Sequence, residues 1–292
     1  MKKLIYTLVF VLILNSAFLI QNSEAQWQTN VRLTNNDSAS YTSQNNAWCV
    51  ASSGSVVHIV WTDQRDGYQE TYYKRSTDAG VSWGTDTRLT NKTGWTYNPS
   101  VAVSGSVVHV VWTDNRNGNY EIYYKRSTDA GVNWGADIRL TNNTAFSLDP
   151  SVAVSGSVVH VVWNDNRDGN REIYYKHSID GGVSWGTDIR LTNSSPYSMS
   201  ASITVSGSVA HVVWYDKRDG NQEIYYKRST DAGVNWGADV RLTNNDFGSI
   251  YPSIAVSGSV VHVVWTDNRN GNYEIYYKRS TDAGVSWGAD TL

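Results

Sequence analysis

Ser127-Thr128-Asp129-Ala130-Gly131-Val132-Asn133-Trp134 decides the fold, because the same pattern stands at four other places in the chain. Its aspartate recurs as Asp78, Asp129, Asp180, Asp231 and Asp282, each 51 residues after the last. A fixed period of that size marks a solenoid, a propeller or an array, in which each unit is one supersecondary motif that buries its apolar faces only against its neighbours. The pattern itself reads as a hairpin turn. Serine and aspartate side chains bond nearby backbone amides, glycine accepts a positive φ, and the tryptophan folds back as an apolar plug. The five aspartates are therefore expected to be structural.

Working outward from the turn, each repeat divides into four short strands. In the second repeat 100–104 alternates small residues with Val101 and Val103, as a strand crowded near an axis requires. Residues 107–112 carry apolar side chains on both faces, which implies burial on both sides. A polar hairpin follows at 114–119, then a third strand at 121–127 with one ring of Tyr123-Tyr124 on each face. Residues 135–141 supply the outer strand after the turn. No helical periodicity appears after residue 25, so the fold class is all-β.

The motif Ser-x-Asp-x-Gly-x-x-Trp resembles the Asp box, or BNR repeat, of sialidase-like β-propellers. Five copies over most of the chain imply a propeller of five four-stranded antiparallel blades. Sialidases that share the box have six blades, so the count departs from that family. The last copy stops at Trp287-Gly288-Ala289-Asp290-Thr291-Leu292, and residues 27–35 align with 236–244. An outer strand supplied by 26–35 is therefore expected to complete the final blade and close the ring, which removes open sheet edges.

Residues 1–25 read as a Sec signal peptide: Lys2 and Lys3, an apolar run over 4–20, and Ser23-Glu24-Ala25 before the cleavage point. An uncleaved anchor is the alternative. The domain is then 26–292, exported to the periplasm or the medium. Formal charge is −3, and −4 once Lys2, Lys3 and Glu24 leave. With no basic block, nucleic acid and anionic membrane are not expected partners. The single cysteine, Cys49, stands where other repeats have Ser100, Ser151, Ser202 and Ser253, so it reads as a small packed residue. Thirteen tryptophans and nineteen tyrosines supply the apolar area that must hold the fold without a disulfide.

Several constellations are tested for chemistry. His58, His109, His160, His211 and His262 recur once per repeat with no second ligand nearby, so no metal is expected there. Asp114-x-Arg116-x-Gly118 lacks the carboxylates of a calcium loop. Its arginine recurs as Arg65, Arg116, Arg167, Arg218 and Arg269, open to two readings: ion pairs inside the blades, or recognition of an anion or sugar. The resemblance to sialidases implies three arginines on a carboxylate, a tyrosine nucleophile with a glutamate, and an aspartate acid/base. Here those residue types repeat in every unit, no unique set stands out, and the Arg-Ile-Pro motif is missing. No catalytic residue and no cofactor are assigned.

The repeats differ chiefly in the connectors from outer strand to next inner strand: 37–48, 92–98, 144–149, 194–200 and 246–251. These should emerge on the face opposite the Asp boxes. Variation gathered on one face is where a repeat protein diversifies binding. The connectors carry Tyr41, Trp48, Trp95, Tyr97, Phe146, Tyr197, Phe247 and Tyr251, and aromatic rings beside amides and carboxylates suit sugars. The reading reached from sequence is a glycan-binding propeller. A sialidase-type glycosidase and a surface scaffold for another protein are the alternatives.

Overall fold

A computed structural model describes residues 29–43, 48–193 and 196–291. The expected signal peptide therefore lies outside the described residues. So do Gln26 to Gln28 of the expected closing strand. Residues 29–35 belong to a unit separate from the body that begins at Asn36, and they carry no strand. Within that segment Arg32 Nε donates to the Thr34 carbonyl at 2.7 Å, as Arg241 does to Thr243 at 2.8 Å at the end of an outer strand.

The body consists of five antiparallel sheets in chain order, the architecture of a β-propeller. Sheet two is representative: inner strand Thr96–Ser104, second strand Val107–Asp114, third strand Glu121–Ser127 and outer strand Ile138–Arg139. Sheets three (Ser147–Arg190) and four (Ser198–Arg241) repeat this order and its register. Sheet five holds Ser249–Ser257, Val260–Asp267 and Glu274–Ser280, and its outer position is begun by Thr291 bridged to Tyr277. In sheet one the inner edge is split, Ser40–Tyr41 and Val50–Ser53 both pairing with Val56–Asp66.

Three strands differ in extent from the sequence reading, the second strand running on from Trp112 to Asp114. The outer strand pairs over two residues only, because the chain leaves the Asp-box turn at Gly135 and reaches the sheet edge at Ile138. The inner strand begins at Thr96 rather than Ser100, so Tyr97 and Asn98 belong to a strand and not to a connector. A bulge between Tyr97 and Ser100 makes this possible, with Asn98 in the left-handed region at φ 48°. Sequence pattern did not reveal the bulge because it breaks the two-residue alternation.

Sheets pack face to face in chain order, and the core lies between them. Val111, Ile122 and Tyr124 of sheet two meet Val152, Val161 and Trp163 of sheet three, all fully or almost fully buried. Full burial of a valine, isoleucine or aromatic side chain contributes about 1.5–3 kcal/mol, so the repeated interfaces dominate stability. Polar links add register. Lys125 Nζ reaches the Leu89 carbonyl of sheet one at 2.6 Å, and Val152 N–H donates to Ser100 Oγ at 3.3 Å.

The Asp box closes its own hydrogen bonds. Ser127 Oγ donates to Asp129 Oδ1 at 2.7 Å and accepts from Gly131 N–H at 2.9 Å, while Asp129 Oδ1 accepts from Asn133 N–H at 2.8 Å. Bonds from Asn133, then Ser127, hold the Asp129 carboxyl at about 2. Gly131 is required twice over. Its φ is 83°, and a Cβ there would lie 1.9 Å from the Tyr73 hydroxyl of the preceding sheet. That hydroxyl is in turn 2.7 Å from His58 Nδ1. The periodic histidines are thus tied to tyrosines beneath the next Asp box, and among the described residues no metal-binding cluster occurs.

Candidate functional site

The end of the sheets opposite the Asp boxes is built from bulged inner strands, connectors and Asp-x-Arg hairpins. Carboxamides of the hairpins pin the connectors: Asn115 Oδ1 accepts from Trp95 N–H and Asn166 Oδ1 from Phe146 N–H, each at 2.6 Å. Asn119 Nδ2 donates to the carbonyls of Asn143 and Ala145, both at 2.8 Å. The aromatic residues therefore sit on a fixed backbone.

Two aromatic groups result. Across sheets one to three, Tyr68, Trp95, Tyr97, Tyr120 and Phe146 form a continuous row with ring centroids 5.4 to 6.4 Å apart. Trp95 and Tyr97 are nearly parallel, while the other neighbours meet edge to face. Tyr68 and Phe146 are exposed and the three rings between them half-buried. At sheets four and five, Tyr215 meets Tyr197 at 6.2 Å and Tyr251 at 5.9 Å, both edge to face.

Between the two groups lies a polar cluster that occurs once among the described residues. Asp149 occupies the bulge of sheet three at φ 57°. Its Oδ1 accepts from Asn98 Nδ2 of sheet two at 2.6 Å, and its Oδ2 accepts from Asn164 Nδ2 at 2.8 Å. Burial raises the Asp149 carboxyl above the ordinary range, against these bonds and the nearby charge of Arg171. Arg171 is exposed, and its Nη1 lies 3.5 Å from Met199 Sδ, which the Tyr215 hydroxyl approaches at 3.4 Å. Burial, then Tyr251 and Tyr197, pushes the Tyr215 hydroxyl up to about 12, so it stays protonated at neutral pH.

The bulge position carries Asn98, Asp149, Ser200 and Tyr251 in successive sheets, every one left-handed. Four unlike residues in one conformation that disfavours side chains are what a repeat protein shows where its copies have diverged for use. Sequence reading singled out Trp95, Tyr97, Phe146, Tyr197 and Tyr251, and the structure brings these onto one end of the sheets. Trp48 is exposed and lines a cavity of about 460 Å³ among the inner strands, with Val101, Ala102, Val152 and Ala153. Tyr41 is exposed in the short strand Ser40–Tyr41 rather than on a connector, and Phe247 is exposed on its connector.

Residues the sequence reading passed over are Tyr68, Tyr120, Asn98, Asp149, Asn164, Arg171 and Tyr215. Two signals were available. The residue before the hairpin aspartate runs Thr62, Thr113, Asn164, Tyr215, Thr266, and the residue before the strand glutamate runs Gln69, Tyr120, Arg171, Gln222, Tyr273. Both columns vary among near-copies, but the first lies in the second strand and the second lies where the hairpin enters the third strand, not in the connectors.

The five hairpin arginines are held inside their own blades. Arg167 donates from Nε and Nη2 to Asp165 at 2.9 and 2.6 Å, donates from Nη1 to Asp188 at 2.6 Å, and covers the Tyr174 ring at 4.4 Å. Arg65, Arg116 and Arg269 repeat the arrangement, and Arg218 repeats it without the Nε bond. In sheet five burial raises Asp267, but bonds from Arg269, Trp265 and Ser249 outweigh it and leave the carboxyl at about 2. Glu70, Glu121, Glu172 and Glu223 are buried, each bonded to an arginine of the outer strand and to a threonine two residues past it. The Asp-box residues Asp78, Asp129, Asp180, Asp231 and Asp282 stand at the opposite end, each in its own turn.

Comparison with known proteins fits this architecture. A Trypanosoma rangeli sialidase in complex with 2,3-difluorosialic acid is 14% identical with a TM-score of 0.55, over 85% of this chain and 49% of that one. The endosialidase of phage phi92 is 11% identical with a TM-score of 0.57, over 87% of this chain and 59% of that one. The chain thus spans about half the length of these solved structures, and at such identity the likeness is one of fold. No curated protein sequence matches the chain. A model of the BNR repeat-like domain matches residues 9–263, and the chain belongs to that family.

Proposed function

We propose that the protein is an exported glycan-binding propeller whose ligand lies along the connector end. The observation that carries this reading is the aromatic row from Tyr68 to Phe146 beside the single cluster of Asn98, Asp149, Asn164 and Arg171. Ring faces take the apolar faces of pyranoses, and a mixed set of carboxylate, amides and guanidinium takes their hydroxyls or an acidic substituent. Binding needs no pair of carboxylates with pKa values pushed apart, and the buried glutamates here are occupied by arginine. Sialylated glycans are the first to test, since a structural relative was solved with a sialic acid derivative.

The test is a glycan array probed with the purified chain, followed by titration of the hits against Trp95→Ala and Tyr120→Ala. Loss of binding in folded variants supports the reading; unchanged affinity in both overturns it. The enzyme alternative draws on the raised carboxyl of Asp149 and the Tyr215 hydroxyl, each of which feels the charge of Arg171. Release of fluorophore from a sialoside, abolished by Asp149→Asn, would promote that alternative over simple binding.

A further inference from the structure

Three of the outer-strand arginines, Arg88, Arg190 and Arg241, each pair with two carboxylates. One is the buried glutamate of the third strand. The other is the aspartate that follows the hairpin arginine: Asp66 meets Arg88 at 3.0 Å, Asp168 meets Arg190 at 3.1 Å and Asp219 meets Arg241 at 3.0 Å. The same aspartates accept from the hydroxyls of Tyr72, Tyr174 and Tyr225. In these sheets an arginine and a tyrosine thus close together on one carboxylate of the chain itself.

Sheet two lacks that carboxylate. Arg139 keeps Glu121 at 2.8 Å and the Thr141 carbonyl at 2.8 Å, but Asn117 stands in the aspartate's place, and among the described residues no second carboxylate pairs with Arg139. Asn117 Nδ2 donates to the Tyr123 hydroxyl, which therefore accepts where its counterparts donate and keeps its own proton to give. A second change comes from sheet one. Three residues after the outer-strand leucine stands Lys92, where the later repeats have Asn143, Ser194 and Asn245. Lys92 is exposed and, with Leu89 and Asn91, lines one side of a cleft of about 610 Å³, while Asn117, Tyr123, Asp137 and Arg139 line the other. Asp137 is already held by Arg116 at 2.5 Å and Lys125 at 2.8 Å. Lys92, Arg116, Lys125 and Arg139 against Asp114, Glu121 and Asp137 leave one positive charge here. One sheet further on, Arg167, Lys176 and Arg190 against Asp165, Asp168, Glu172 and Asp188 leave one negative charge.

We propose that the cleft between sheets one and two binds an oxyanion, a carboxylate or sulfate group, with Arg139 Nη1, the Tyr123 hydroxyl and Lys92 as its donors. The ligand takes the place that Asp66, Asp168 and Asp219 fill elsewhere, so the chain's own ion pairs show what this arginine and tyrosine accept. A planar guanidinium suits an oxyanion, and a surplus of cations in a partly buried cleft favours one further. The cleft shares no lining residue with the Asp149 cluster, and the site stands whether or not the glycan reading does. Lys92 opens the connector that also carries Trp95, which makes the acidic groups of a polysaccharide on the aromatic row one source of the anion. Free sulfate is the other.

The experiment is calorimetric titration at low ionic strength with three probes: inorganic sulfate, a heparin-derived oligosaccharide and an oligogalacturonate. The wild type is compared with Asn117→Asp and Lys92→Asn. Asn117→Asp writes into sheet two the ion pair that sheets one, three and four already have, so it should fold, and a melting temperature no lower than that of the wild type checks this. The expected result is binding by the wild type, weakened about tenfold or more by Asn117→Asp and about threefold by Lys92→Asn. An oligosaccharide bound more tightly than sulfate, and weakened by Trp95→Ala, assigns the anion to a glycan; equal binding of sulfate, untouched by Trp95→Ala, assigns it to the free ion. Failure of the wild type to bind any of the three probes would overturn the proposal, as would undiminished binding by Asn117→Asp.

Discussion

The two ends of the sheets make opposite use of one repeated sequence. At the Asp-box end the copies close the same bonds: serine to aspartate, glycine over a neighbouring tyrosine in the second to fifth boxes, and that tyrosine to a buried histidine. At the connector end the same backbone positions carry Asn98, Asp149, Ser200 and Tyr251, and their partners differ from sheet to sheet. The comparison teaches where a repeat protein can diverge. A residue that fills a neighbour's surface is fixed by that neighbour, whereas one at the open end of an inner strand is not.

Acid should break the Asp-box end first. Burial holds His58, His109, His160 and His211 at about 4, below the ordinary imidazole range. The unfolded chain therefore binds more protons than the folded one between about pH 6.5 and 4, and stability present above that window is lost as pH falls through it. The expected slope is up to about 1.4 kcal/mol per pH unit for each histidine. Urea unfolding at several pH values checks this, and a flat profile would contradict neutral buried imidazoles.

Gly182→Ala comes next in size. It forces a left-handed alanine and an overlap with the Tyr124 hydroxyl, for a loss of about 3 kcal/mol. Gly118→Ala supplies the contrast, because its φ is also positive but no atom lies within 4 Å of the added Cβ. Equal losses in thermal melts would mean that backbone strain alone, and not the contact between sheets, fixes the Asp-box glycine.

At the other end, Trp95→Ala should weaken glycan binding by about 1 kcal/mol or more while Gly182→Ala, where folded, leaves affinity alone. Calorimetric titration separates the two ends. The smallest expected effect is a gain. Ala79, Ala130, Ala232 and Ala283 are left-handed in four Asp boxes, and the third box has Gly181 in that place. Ala130→Gly should therefore stabilise by about 1 kcal/mol, seen as a raised melting temperature.

How much was legible beforehand follows from the same physics. The Asp box could be read from Ser127, Asp129, Gly131 and Trp134 alone, because its bonds span at most four residues. The arginines could not be resolved between ion pairs and ligand contacts, since Arg167 meets Asp188 across 21 positions and the choice depends on strand pairing. Asp149 was passed over for a similar reason. Its partners Asn98 and Asn164 lie in a neighbouring sheet and a neighbouring strand.

Sequence by itself determined the repeat, the all-β class, the turn chemistry and the end of the sheets where copies diverge, all of which depend on local spacing. Tertiary structure decided which of those residues meet. The bulge that lifts Tyr97 and Asn98 into a strand and the row of rings from Tyr68 to Phe146 arise from contacts within and between sheets. Packing sums contacts between residues far apart in the chain, which no local pattern encodes.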